Sequence, residues 1–220
     1  MSKREISKVA AKILIDIGAI NFSPQSPFKL SSGFLSPSYI DCRKIIAYPS
    51  AFKTITDMMI DTIKSDMDSQ SPDYIIGGET AGIPFAAFIA ERLSLPMQYV
   101  RKKPKGFGRD ALIEGDIKKG QRILLVEDLT TDGGSKLNFA NAIRKVGAIV
   151  NHTFVIFYYD IFKDTISSLQ KNSLNLHYLA TWWDVLNCAK KLNKFDQKTL
   201  QAVEKFLNNP KDWSKENGGK

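Results

Sequence analysis

The chain has 220 residues, 43% of them hydrophobic and 25% charged, with a formal net charge of +8 and a pI of about 9.3. That composition excludes a disordered chain and suits one globular unit with a sizeable core. It holds only two cysteines, Cys42 and Cys188, and two histidines, His152 and His177, which weighs against a disulfide framework, a zinc cage and a Ser-His-Asp centre. The basic balance fits an anionic partner such as nucleic acid, a membrane surface or a phosphorylated small molecule. On charge alone, a lysine-rich solvated surface accounts for it better.

Near the start, Ile6, Val9, Ile13, Leu14 and Ile17 recur at helical spacing, while Lys12 and Asp16 interrupt any apolar leader. The expectation is an amphipathic helix, not a signal peptide. No stretch approaches the roughly 18 apolar residues of a membrane span, so a soluble, cytoplasmic protein is expected. Residues 22–48 are rich in proline and serine and read as irregular structure with short strands. Pro49 opens a helix carrying Phe52, Ile55, Met59 and Ile63 on one face. "YIIGG" (74–78) is a short buried strand, Ile83–Leu93 an apolar helix and Met97–Val100 the next strand. Residues 101–119 have neither period. Their first nine carry five positive charges around Pro104, Gly106 and Gly108. A loop of that length is either functional or a surface insertion.

The second half continues with strand Ile123–Val126, a helix from about Ser135 to Val146, strand Ile149–Tyr158 and helix Phe162–Leu169. "LNLHYLA" is one more strand. Thr181 and Asp184 form a capping box for a helix with Trp182, Val185, Leu186 and Ala189 on it. A last helix starts near Asp196 and stops before Pro210, leaving "KENGGK" as a frayed tail. Strands alternating with helices imply an α/β fold with a mostly parallel sheet flanked by helices. Residues 1–220 read as a single domain, with a small irregular hood mainly from about 20–48 and C-terminal helices at about 181–209.

The stretch "ILLVEDLTTDGGSK" (123–136) carries the chemistry. In open α/β sheets ligands bind beyond the carboxyl ends of the strands, where Glu127 and Asp128 fall. Backbone N–H groups before a helix N-terminus form an anion site, and Gly133 and Gly134 let the backbone approach a phosphate. Thr130, Thr131 and Ser135 add hydroxyls. The acids repel that phosphate and suit hydroxyl groups or a metal ion on the same ligand. A phosphate beside a diol describes a sugar phosphate. The segment is neither a P-loop nor a dinucleotide fingerprint.

"VEDLTTDGGS" resembles the ribose-phosphate motif of the type I phosphoribosyltransferases. "SGFLSPSYIDCR" (32–43), "GGETAGIP" (77–84) and "YVRKKPKGFG…IEG" (99–115) look like the orotate phosphoribosyltransferases, in the right order over residues 28–135. The resemblance implies a type I phosphoribosyltransferase-like fold and transfer from phosphoribosyl pyrophosphate to orotate, with Mg2+ carried by the substrate. It implies that Glu127 and Asp128 face the ribose hydroxyls and that Thr130, Thr131, Asp132, Gly133, Gly134 and Ser135 hold the 5′-phosphate, with Leu129 also in the substrate-binding segment. Thr131 would also lie beside orotate and Tyr39 near the base. Glu79–Gly82, with Thr80 and Ala81, would lie against the pyrophosphate. Arg101 and Lys105, with Lys102 and Lys103 adding charge, would form a mobile loop completing the neighbouring subunit's site, and so a homodimer. Lys105, Arg101 and Asp128 are the expected catalytic groups.

Four positions depart from the family pattern. Phe107 stands where a loop histidine is usual. Ala81 and Ser31 stand where some members carry lysines. Ile161 stands where some carry an arginine for the orotate carboxylate. Two competing readings remain: an RNA-binding regulator of pyrimidine genes on the same fold, and the same enzyme class acting on another base, such as a purine. A regulator would want a basic face with base-reading residues, whereas the lysines here cluster in the substrate loop or scatter on the C-terminal helices, so no nucleic-acid partner is expected. Without the resemblance, Tyr39 reads as a packed aromatic and Arg43 as a surface partner of Asp41. Trp182, Trp183 and Trp213 read as packing anchors, and Cys188 as inert core.

Overall fold

The computed structural model describes residues 1–30, 33–67, 71–104 and 112–220. Among them six strands form the main sheet: β5 (Tyr74–Gly78), β6 (Met97–Val100), β7 (Ile113–Glu114), β8 (Arg122–Thr130), β9 (Ile149–Tyr158) and β10 (Asn175–Thr181). Their order is β10-β9-β8-β5-β6-β7, and every pairing is parallel except β6 with β7. β5 and β8 are central neighbours, and the chain leaves them toward opposite edges. Their carboxyl ends therefore flank a topological switch point.

Alternation along β8 sorts its side chains into two cores. Leu124 and Val126 join one apolar cluster, with Leu14 of α1 (Lys3–Asp16), Ile55 of α2 (Pro49–Asp66) and Phe85 of α3 (Gly82–Leu93). Ile123 and Leu125 join the other, with Phe139 and Ile143 of α4 (Gly134–Lys145) and Leu169 of α5 (Thr165–Lys171). The period of two in a strand makes this division unavoidable once both faces are covered. It also sends Glu127 and Asp128 to opposite faces.

Outside the sheet, β1 (Ile20–Phe22) pairs antiparallel with β4 (Ser38–Ile40), and β2 (Phe28–Lys29) with β3 (Leu35–Ser36). A 3-10 turn over Cys42–Ala47 leads into α2, which Pro49 opens at its first helical position. After β10 come α6 (Trp182–Leu192), α7 (Gln197–Asn208) and α8 (Pro210–Glu216). Thr181 and Asp184 make the reciprocal capping box that their spacing predicts.

The structure corrects five expectations. The 101–119 segment contains β7, a strand too short to show a period. β8 runs on through the acids to Thr130, because Glu127, Leu129 and Thr130 still pair with β9. α5 begins at Thr165, not Phe162, whose ring instead stacks on Phe34 at 6.4 Å. Pro210 opens α8 as well as ending α7, with Asn209 capping it, and the tail beyond packs on the hood. Cys188 is half-buried, whereas Cys42 is the fully buried thiol. The tryptophans hold as anchors: Trp182 is wholly buried and Trp213 nearly so, while Trp183 donates its ring N–H to the Asp160 carbonyl at 3.1 Å.

Candidate active site

The carboxyl end of β8 delivers Glu127, on the α4 face, into an interior position 7% exposed. Lys136, from the first turn of α4 and 4% exposed, reaches back to it, Nζ to Oε2 at 2.9 Å. The other oxygen, Oε1, has no hydrogen-bond partner among the described residues and faces the backbone of the neighbouring strand end. A Cβ built on Gly78 would run into it, and one on Gly82 would run into the Val126 carbonyl oxygen. Both positions therefore need glycine for the β5–α3 turn to close against β8. Burial pushes the Glu127 carboxyl above its ordinary range, and the Lys136 ammonium opposes that rise.

Asp128 lies on the opposite face and is half-buried. Its Oδ1 accepts the Leu129 N–H at 2.8 Å. Burial raises its pKa, with Lys136, the Leu129 N–H and Arg43 pulling it down. Arg43 itself holds Asp41 at 2.8 Å, the surface pairing expected of it. It also reaches the Tyr39 hydroxyl at 3.5 Å. Tyr39 is half-buried on β4, its ring 5.4 Å from that of Phe28.

The turn from β8 into α4 has the shape of an anion cradle. Gly133 sits at φ +83°, and a Cβ there would also press on Leu169 at 2.9 Å. Both constraints select glycine. Gly134 and Ser135 are exposed at the start of α4, Thr131 is half-buried and Thr130 is buried. Asp132 turns its carboxylate back on the loop, where Oδ1 accepts the Gly134 N–H at 3.0 Å. Leu129 packs against the larger core.

Opposite this turn stands Glu79, just past the end of β5. It accepts the Lys102 N–H at 2.8 Å and lies 3.9 Å from Arg101. Arg101 also faces Glu114 of β7 at 3.8 Å, so β7 and Glu79 hold the root of the basic segment from two sides. Thr80, Lys102 and Lys103 are exposed, and Ala81 is half-buried. Lys105, Gly106, Phe107 and Gly108 lie outside the described residues, as do Ser31 and Ser32. Ile161 is buried in the larger core. Lys136 is the residue that sequence reasoning missed.

Residues 43–198 match the phosphoribosyl transferase domain family. The chain is 58% identical to the orotate phosphoribosyltransferase of Cereibacter sphaeroides, over 96% of this chain and 91% of that one. The chain belongs to the orotate phosphoribosyltransferases. Among solved structures, the orotate phosphoribosyltransferase of Aeropyrum pernix is similar with a TM-score of 0.71 and 31% identity, covering 84% of this chain and 99% of that one. The UMP synthase of Leishmania donovani is similar with a TM-score of 0.76 and 26% identity; 91% of this chain spans 42% of that longer one. Like other orotate phosphoribosyltransferases, this chain is a pentosyltransferase of pyrimidine biosynthesis.

Proposed function

We propose that the chain transfers the ribose 5-phosphate of phosphoribosyl pyrophosphate to orotate, giving orotidine 5′-monophosphate and pyrophosphate. The observation that carries this reading is the meeting of three parts at one switch point. These are the acid pair of β8, the glycine turn into α4 and the Glu79–Gly82 turn after β5. The glycine turn, from Thr131 to Ser135, takes the 5′-phosphate on its N–H groups and hydroxyls. Asp128 takes the ribose hydroxyls, beside Glu127. The Glu79–Gly82 turn faces the pyrophosphate, and Tyr39 and Thr131 face the base. With Ile161 buried, the orotate carboxylate is left to backbone donors and Thr131.

Breaking the bond from ribose C1 to pyrophosphate makes a cationic sugar and a highly charged leaving group. No side-chain nucleophile is needed. Arg101, Lys102, Lys103 and Lys105 supply positive charge where the pyrophosphate departs, and donors of this kind are often worth ~10²–10³ in rate apiece. Among the described residues no group of three or more His, Cys, Asp or Glu is placed to hold a metal ion. Mg2+ would arrive on the substrate phosphates, with Glu127 and Asp128 nearby. Carried on the substrate, Mg2+ would neutralise charge on the pyrophosphate.

The same reading makes the protein a cytoplasmic homodimer whose basic loop completes the neighbouring site. No helix among the described residues is long and apolar enough to cross a membrane. The deciding assay mixes protein, Mg2+, phosphoribosyl pyrophosphate and orotate and follows orotate absorbance, with adenine, hypoxanthine and uracil in parallel. Loss with orotate alone supports the reading. Turnover with another base overturns the choice of base and leaves the sugar half standing. Ligand binding with no turnover on any base favours the regulator instead.

A further inference from the structure

The last eleven residues lie beyond the segment matched to the family, 43–198, yet they are built into the fold. α8 buries Ser214 completely and Trp213 to 4% exposure, the Trp213 ring edge-on to Phe206 at 5.6 Å. Ser214 Oγ accepts the N–H of Leu35 on β3 at 2.9 Å. The tail then curls back, with the Gly219 N–H donating to the Ser214 carbonyl at 2.8 Å. A Cβ on Gly219 would overlap Ser214 Oγ and press within 3.0 Å of the Leu35 side chain. The stem of Lys220 lies across Gly33, its Cδ 3.1 Å from where a Cβ would stand.

The element receiving these contacts cannot hold itself. β2 and β3 are two residues each, and an isolated hairpin even of ordinary length is marginal in water. On its inner side the Phe28 ring lies against Tyr39, and Phe34 stacks on Phe162 just past β9. On its outer side it has α8 and the tail.

We propose that α8 and Gly219–Lys220 are a clamp that positions the β2–β3 pair, and through Phe28 the Tyr39 ring, for the base. The role is positioning: the clamp's contacts fall on α7, β3 and Gly33. The proposal rests on the reading that Tyr39 faces the base.

Two single variants of the full chain test it: Ser214→Ala removes the acceptor of the Leu35 N–H, and Gly219→Val wedges the tail off the hairpin. Amide exchange over residues 28–40 is measured beside kcat and the KM values for both substrates. Loss of one hydrogen bond changes an opening equilibrium by up to about tenfold. The expected result is exchange over 28–40 faster by about that factor, with KM for orotate raised several-fold. KM for phosphoribosyl pyrophosphate stays within about twofold, because the glycine turn is untouched. Unchanged exchange in both folded variants overturns the clamp. Faster exchange with an unmoved KM for orotate, or an equal rise in both KM values, overturns its link to the base. If the unaltered protein does not use orotate, that failure belongs to the proposed activity, and the exchange measurement alone decides the clamp.

Discussion

Lys136 Nζ lies 2.9 Å from Glu127 Oε2, and the two side chains are only 5% and 9% exposed. This buried ion pair ties the first turn of α4 to the end of β8, the two elements that bracket the glycine turn. It fixes the approach of that turn to the switch point, and the ammonium opposes the rise that burial imposes on the pKa of the more buried acid.

Removing the lysine should therefore cost twice. A buried pair broken on one side typically loses about 3–5 kcal/mol, because the remaining charge is left uncompensated. In Lys136→Met the rise of the Glu127 carboxyl by burial is no longer opposed, so it takes up a proton at a higher pH. The expected result is a lower urea midpoint and a kcat/KM profile whose acid limb moves upward. Lys136→Met/Glu127→Gln should recover much of the stability without the activity. An unchanged midpoint and profile in the single variant would remove the pair from both fold and site.

The glycines facing this pair give a second prediction. Gly78→Ala would place its Cβ on Glu127 Oε1 and force the carboxylate away from Lys136, while Gly82→Ala would run into the Val126 carbonyl oxygen. The first obstacle is a side-chain end that can yield; the second is backbone. Gly82→Ala should thus be the more destabilising, by at least about 1 kcal/mol, in the range of core overpacking. Thermal melts of the two variants side by side decide this, and equal losses would mean that Glu127 is as rigid as the strand.

Most of this architecture was legible because periodicity reports directly on burial. β9 matches its expected span, and the apolar runs of β5 and β8 declare strands covered on both faces. β7 escaped because two residues have no period. α8 escaped because proline after a helix reads as a stop, although it is equally a start at the first helical position. The acid pair and the glycine turn were readable as a local string. Their partner was not, since eight residues of strand, turn and helix lie between Glu127 and Lys136. One signal did exist: a lysine in the first helical turn opposes the helix dipole and calls for a compensating acid. The seating of the tail on Leu35 spans 179 residues, and no local pattern carries it.

Lys105 tests the leaving-group half of the mechanism. Lys105→Ala should lower kcat about 10²- to 10³-fold, the usual worth of one donor aimed at developing charge, with no change in the thermal midpoint. Full turnover by the folded variant would take Lys105 out of the reaction. Glu79→Gln bears on the same half from the root of the basic segment. The amide oxygen still accepts the Lys102 N–H, but the charge facing Arg101 is gone. Its effect should be smaller and fall mainly on KM for phosphoribosyl pyrophosphate. A kcat loss as large as that of Lys105→Ala would instead make Glu79 a participant in the chemistry.

Asp128 should show the conflict between site and fold. Its pKa is raised in the folded chain, first by burial, with Arg43, Lys136 and the Leu129 N–H only partly offsetting this. A raised carboxyl favours the folded state below its ordinary pKa, and that contribution is lost as pH rises through the raised value. At neutral pH the ionised Asp128 therefore works against folding. Asp128→Asn keeps an oxygen for the Leu129 N–H and removes the charge. Its melting temperature should exceed that of the unaltered chain at neutral pH. The difference should shrink as pH falls and vanish below the ordinary aspartate range, where both side chains are neutral. In the same variant kcat/KM for phosphoribosyl pyrophosphate should fall, because the ribose hydroxyls lose their anionic acceptor. A variant that is less stable at neutral pH would show that Arg43 and Lys136 outweigh burial. One that is more stable but fully active would move the ribose contact away from Asp128.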